Sequence, residues 1–189
     1  MQLRKSARKY LLLSTALAVL ATPTWFGVAN AAQTQVANNK AATTTEVSVA
    51  ALEAELKAGG GTVFPIGEPN VAHEKYFVGK TYVNNLSRDK NLPVFNVTFE
   101  PGAHSSWHVH EGSSQVVIAE AGRGYYQIWG QAPVELKPGD VVTIPAGVKH
   151  WHGAAPHESF QQLVLMEVNP DVRTDWLEPI NEKVYQALP

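Results

Sequence analysis

The chain has 189 residues, 15 Lys and Arg against 17 Asp and Glu for a formal charge of −2, seven His, no Cys and 44% hydrophobic residues. That is enough chain for one domain with short appendages, and a charge this balanced leaves no electrostatic footprint for nucleic acid. The missing cysteines exclude disulfides, thiolate nucleophiles and Cys-based zinc sites, so any metal must be held by histidines and oxygen donors.

In chain order, residues 1–10 carry Arg4, Lys5, Arg8 and Lys9 without an acid, residues 11–21 are apolar, and Ala29-Asn30-Ala31 supplies a small-x-small pattern. This is the three-part layout of a secretory signal peptide. The apolar run is short for a retained anchor and is broken at Pro23. Cleavage after Ala31 and a soluble periplasmic or secreted product are expected. Removing the leader takes four basic residues and no acid, which leaves 11 basic and 17 acidic residues and a formal charge of −6. A negative surface of that size disfavours nucleic acid and anionic membrane as partners.

Residues 32–45, rich in Ala, Gln, Asn and Thr, read as a disordered lead-in. Residues 47–58 place Val49, Leu52 and Leu56 at helical spacing before Gly59-Gly60-Gly61, so a short N-terminal helix with a glycine stop is predicted, and the lead-in and helix together fill residues 32–62. From residue 63 to residue 170 the pattern changes to short alternating runs at 76–83, 94–99, 115–119, 124–129, 141–144 and 160–168, separated by Pro, Gly and Asn. Period-two segments at this spacing predict an all-β antiparallel sandwich or barrel. Lys137-Pro138-Gly139-Asp140 and Pro145-Ala146-Gly147 are its turns. In the tail, residues 171–189, Trp176, Ile180 and Val184 stand at helical spacing and predict a C-terminal helix over 175–188.

Six of the seven histidines, at 104, 108, 110, 150, 152 and 157, fall within 54 residues. On a strand, His108 and His110 project from one face while Trp107 and Val109 project from the other. Two imidazoles on one face can chelate an ion, although the same spacing occurs in surface pairs. Gln115 could add an oxygen, and His150 follows a hairpin that could fold across; three nitrogens and one oxygen suit a divalent ion with open positions.

The segments Gly102-x5-His108-x-His110-x4-Gln115-x6-Gly122 and Gly139-x5-Pro145-x-Gly147-x2-His150, 16 residues apart, resemble the two motifs of the cupin superfamily. The resemblance implies a double-stranded β-helix, the jelly-roll barrel, with His108, His110, Gln115 and His150 as ligands of one divalent transition metal. Two positions depart from the family pattern: Gln115 replaces the usual glutamate, and Ala154 the asparagine that often ends the second motif. Without that anionic donor the ion keeps its full charge and is a stronger Lewis acid.

Residues 97–103, Trp107-His108-x-His110, the run from Lys149 to Pro156, Asp175-Trp176-x-Glu178, Tyr185 and Phe77-x-Gly79 are similar to small bacterial manganese-dependent cupin hydroxynitrile lyases. The same subgroup resembles cupins associated with carboxymuconolactone decarboxylases. The likeness implies manganese first, then iron, with nickel, cobalt and zinc behind them, a small-molecule substrate, no integral membrane association, and a homodimer. Where those lyases carry a histidine base this chain has Gln162, and a neutral glutamine does not accept a proton. His152, two residues beyond ligand His150, is then the catalytic candidate, alongside a role in filling the barrel mouth.

Phe95, Val97 and Met166 are the expected substrate-pocket residues, and Trp107 and Trp151, alternating away from the metal, are expected in the core or a dimer interface. His104 and His157 are expected exposed on loops, His73 has no assigned role, and Glu100, Glu111 and Asp140 are expected at turns or rims. Two other readings remain open on sequence, a cupin dioxygenase using iron, manganese or nickel and a non-catalytic metal or small-ligand binder.

Overall fold

The computed structural model describes residues 47–59, 64–87 and 89–189. The expected leader and the lead-in lie outside these residues. Helix α1 (Val49–Ala58) starts where the Ser48 side chain accepts from the Ala51 amide at 3.1 Å, and it ends where the Gly59 amide bonds the Glu55 carbonyl. None of the described helices is long and apolar enough to cross a membrane.

Strands β1 (Glu68–Pro69), β2 (Phe77–Val78), β3 (Thr81–Asn85), β4 (Val94–Phe99), β5 (His104–Ser105), β6 (His108–Glu111) and β7 (Gln115–Gly122) come first. They are followed by β8 (Gly124–Ile128), β9 (Val134–Leu136), β10 (Val141–Ile144), β11 (His150–Ala154), β12 (Phe160–Leu165) and β13 (Arg173–Trp176). A short helix α2 (Glu182–Tyr185) follows. One antiparallel sheet runs β1-β3-β4-β12-β7-β10; the other runs β13-β6-β11-β5-β2, with β8 paired to β11 and β9 to β8. This is the all-β antiparallel architecture the alternating pattern predicts, in the jelly-roll form the motif resemblance implies.

Three apolar clusters hold it together. Between the sheets Phe99, Ala103, Val117, Ala119, Ile144, Ala154 and Phe160 are buried together. On the outer face of the first sheet Leu52 and Leu56 of α1 meet Ile66, Tyr82 and Ala121, and on the outer face of the second Ile180 and Tyr185 meet Trp107, Tyr125 and Trp151. Each sheet is therefore covered on both sides, which lets β11 bury all five of its residues, polar ones included.

Two expected elements come out differently. The run 76–83 is two strands, because the chain crosses from one sheet to the other at Gly79, which has φ +73° and sits so close to Ala103 that a Cβ would lie 2.9 Å from the Ala103 Cβ. The tail is a strand followed by one helical turn, where a helix over 175–188 was expected. A proline at 179 inside such a helix lacks the amide to continue it and its ring clashes with the carbonyl four residues back. Residues 173–176 instead pair with β6, and the helix begins only at Asn181, whose side chain accepts from the amides of Lys183 and Val184.

Candidate metal centre

Strand alternation sets the site. His108 and His110 project inward from β6, and His150 opposite His108 in register projects inward from β11. One nitrogen from each of His108, His110 and His150 lies within 4.8 Å of the other two, and all three residues are buried. Gln115, the first residue of β7 and 3% exposed, inserts its carboxamide among them. Its Nε2 is 3.0 Å from His110 Nε2, and its Oε1 is 3.1 Å from His150 Nε2. The four residues expected to ligate thus meet at one point.

The outer nitrogens show why the inner ones converge. His108 Nδ1 donates to the Ser106 carbonyl at 3.0 Å and His150 Nδ1 to the Val148 carbonyl at 2.9 Å. A carbonyl only accepts, so both rings carry their proton on Nδ1 and turn an Nε2 lone pair inward. Burial pushes the imidazoles of His110 and His150 down to about 4, His110 further under the influence of His150, while the Val148 bond pulls His150 part of the way back. Burial, then His150, His152 and His110, hold His108 well below the ordinary value. No Asp or Glu is among the buried polar residues described. Neutral imidazoles around one carboxamide, with lone pairs facing one another, fit a divalent cation.

His152 also faces the interior, its ring edge-on to Phe99 at 6.1 Å and 5.3 Å from the His108 ring. Burial first, then His150 and His110, lower its pKa well below the usual value. Gln162 Nε2 lies 2.9 Å from His152 Nδ1. His152 Nε2 and Gln162 Oε1 are both buried without a hydrogen-bond partner. The structure therefore brings the two expected catalytic positions into contact beside the metal ring.

The expected pocket residues do not form one pocket. Phe95 lines an open cleft of about 550 Å³ with Asn85, Pro93 and Val168, whereas Met166 lines another of about 480 Å³ with Leu92, Ser113 and Ala146. Val97 packs against the inter-sheet core and is the cross-strand neighbour of Gln162. Phe95 and Val97 share β4 at different depths, whereas Met166 lies just past the end of β12, which separates the three.

His104 is corrected too. It lies on β5 at 1% exposure, packed at a tilt against Tyr185 with ring centroids 4.0 Å apart, where burial lowers its pKa. His157 and His73 are exposed, Trp107 and Trp151 are buried on the face away from the histidine cluster, and Asp140 caps its turn by accepting from the Lys137 amide. Glu100 accepts from the Tyr82 hydroxyl.

Sequence reasoning missed two residues of the tail. Thr174 Oγ1 is 2.9 Å from His110 Nδ1, and the Trp176 ring lies 4.8 Å from His108 and stacks on Tyr76 at 4.5 Å. The helical reading of the tail hid them; an alternation of Thr174 and Trp176 with Arg173 and Asp175 was the available signal.

The Cupin domain family matches residues 95–166. Over 91 residues, 48% of this chain and 69% of the relative, the sequence is 43% identical to the (R)-mandelonitrile lyase of Granulicella tundricola. A crystal structure of a cupin-like protein from Thermotoga maritima superimposes with a TM-score of 0.60 at 35% identity, covering 66% of this chain and 94% of that one. With its motifs, barrel and histidine ring in place, the chain belongs to the cupin superfamily.

Proposed function

We propose that this chain is an exported, metal-dependent cupin lyase that cleaves a small cyanohydrin of the mandelonitrile type. The observation that carries the reading is the buried convergence of three neutral imidazoles and the Gln115 carboxamide, with His152 at its side and no carboxylate among them. The similarity to a mandelonitrile lyase supports the substrate class. Manganese is the metal we favour, and a homodimer the assembly.

His108, His110, Gln115 and His150 would hold the ion, which when bound supplies positive charge for the substrate hydroxyl oxygen as its proton leaves. His152 is the proton acceptor. Burial keeps it neutral, and a half-turn of the Gln162 carboxamide puts Oε1 in place of Nε2 against Nδ1–H, leaving the Nε2 lone pair free. The hydroxyl proton passes to His152 Nε2, the bond to the nitrile carbon breaks as the carbonyl forms, and cyanide leaves with the electron pair and takes the proton back from His152. Phe99 and Val97 keep the space beside the ring apolar.

Release of benzaldehyde from mandelonitrile by manganese-loaded protein tests this, with His152→Ala expected to lose the activity. Gln162→His, which adds a second imidazole, should raise the rate. Fully loaded wild-type protein that releases no benzaldehyde would overturn the reading.

A further inference from the structure

The three convergent histidines differ in what holds their outer nitrogens. For His108 and His150 the partner is a backbone carbonyl two residues earlier, which fixes the proton on Nδ1 whatever the surrounding side chains. His110 has no such bond. Its Nδ1 meets the Thr174 hydroxyl at 2.9 Å, and a hydroxyl can donate as well as accept. On its inner side His110 Nε2 lies 3.0 Å from the Gln115 carboxamide; with the Nε2 lone pair turned toward an ion, the ring carries its proton on Nδ1 and Thr174 Oγ1 accepts it.

Thr174 reaches this place through register. On β13 it stands directly opposite His110, and Trp176 stands opposite His108, over whose ring it packs. The strand lies beyond residues 95–166 that the cupin family matches, so the support for a ligand inside the barrel comes from the tail outside that stretch.

We propose that Thr174 is a positioning residue of the metal centre: its hydroxyl holds the His110 ring and tautomer with Nε2 toward the ion, the task backbone carbonyls perform for His108 and His150. The proposal rests on the metal-dependent reading above. It makes His110 the one imidazole of the three whose ligation depends on a side chain elsewhere in the sequence. Outer partners of this kind, when removed, typically weaken metal binding roughly 10- to 100-fold.

The test uses metal-free protein titrated with cobalt(II) against a chromophoric chelator, with the visible cobalt bands recorded at saturation. Thr174→Val keeps the side-chain shape and removes the hydroxyl; affinity should fall roughly 10- to 100-fold with altered bands, and Thr174→Ser should restore both. Unchanged affinity and bands in Thr174→Val would overturn the proposal. So would Thr174→Ser behaving like the valine variant, since the methyl group and not the hydroxyl would then matter. A lowered melting temperature of metal-free Thr174→Val with cobalt affinity intact would make Thr174 a packing residue only and equally overturn it. Failure of wild-type protein to take up cobalt would sink the metal-dependent reading itself, whereas uptake that is equal in all three proteins removes only the role of Thr174.

Discussion

His150 Nε2 and Gln115 Oε1 face each other at 3.1 Å as two acceptors, because the proton of His150 is engaged on Nδ1 by the Val148 carbonyl and burial keeps the ring neutral. Two lone pairs in contact repel; a cation between them, or a half-turn of the Gln115 carboxamide, relieves the repulsion. In the proposed metal centre the glutamine is a neutral ligand, and that neutrality can be tested. Gln115→Glu should bind a divalent metal tighter by roughly tenfold or more, since a buried anion and cation attract strongly. Without metal the same variant should be less stable than wild type, because a carboxylate is then buried without a partner. Chelator competition and thermal melts of both forms check the pair of outcomes; weaker metal binding by Gln115→Glu would contradict it.

The buried histidines make the metal-free protein acid-sensitive. His104, His108, His110, His150 and His152 all have folded pKa values lowered from 6.5, two of them to about 4. Between those values the unfolded chain binds more protons than the folded one, so stability is full above about pH 6.5 and falls as pH drops toward 4. Each group contributes up to about 1.4 kcal/mol per pH unit in that window. Chemical denaturation of metal-free protein at several pH values should show the loss, and bound metal should move it to lower pH. Equal unfolding free energies across the window would mean the rings are not buried neutral.

Close backbone approach is essential where β11 meets β5. A Cβ on Gly153 would lie 2.5 Å from both the Cα and the Cβ of His104 and 2.6 Å from the Ala103 carbonyl oxygen. Gly153→Ala must therefore push the strands apart and should cost on the order of 3 kcal/mol or more. Since His150 and His152 share that strand, metal affinity should fall with it. A melt superimposable on wild type would contradict the packing described.

A buried hydroxyl helps to tie down the end of the tail. Tyr185 donates to the Ala154 carbonyl at 2.6 Å while its ring covers His104. Tyr185→Phe keeps the ring and leaves that buried carbonyl unpaired, a loss of about 1–3 kcal/mol by equilibrium unfolding. Because the hydrogen bond is far from the lone pairs of the ring, metal affinity should hardly change.

The barrel and the histidine cluster were legible because both depend on period two: β4 and β10 begin and end where the alternation does, and His108, His110 and His150 share an inward face. Gln115 was readable from its place at the head of an apolar strand. What the sequence hid were contacts made by residues distant in the chain. His104 carries no local sign of burial, since its cover, Tyr185, lies 81 positions later and its room comes from Gly153. Trp176 fell in the expected helix over 175–188, against which only Pro179 spoke, and Thr174 stood just before it with no local sign of its place opposite His110. Phe95, Val97 and Met166 are spread apart for a different reason: a shared strand face does not fix depth along the barrel, and Met166 lies past the end of β12.

Metal content and mandelonitrile cleavage measured on the same preparations test the central claim most directly. Wild-type protein should carry about one divalent transition metal per chain and cleave mandelonitrile, losing both on chelation and regaining both on readdition. His108→Ala and His150→Ala should lack both. Cleavage that persists in a variant without metal, or metal bound stoichiometrically by both histidine variants, would contradict the account.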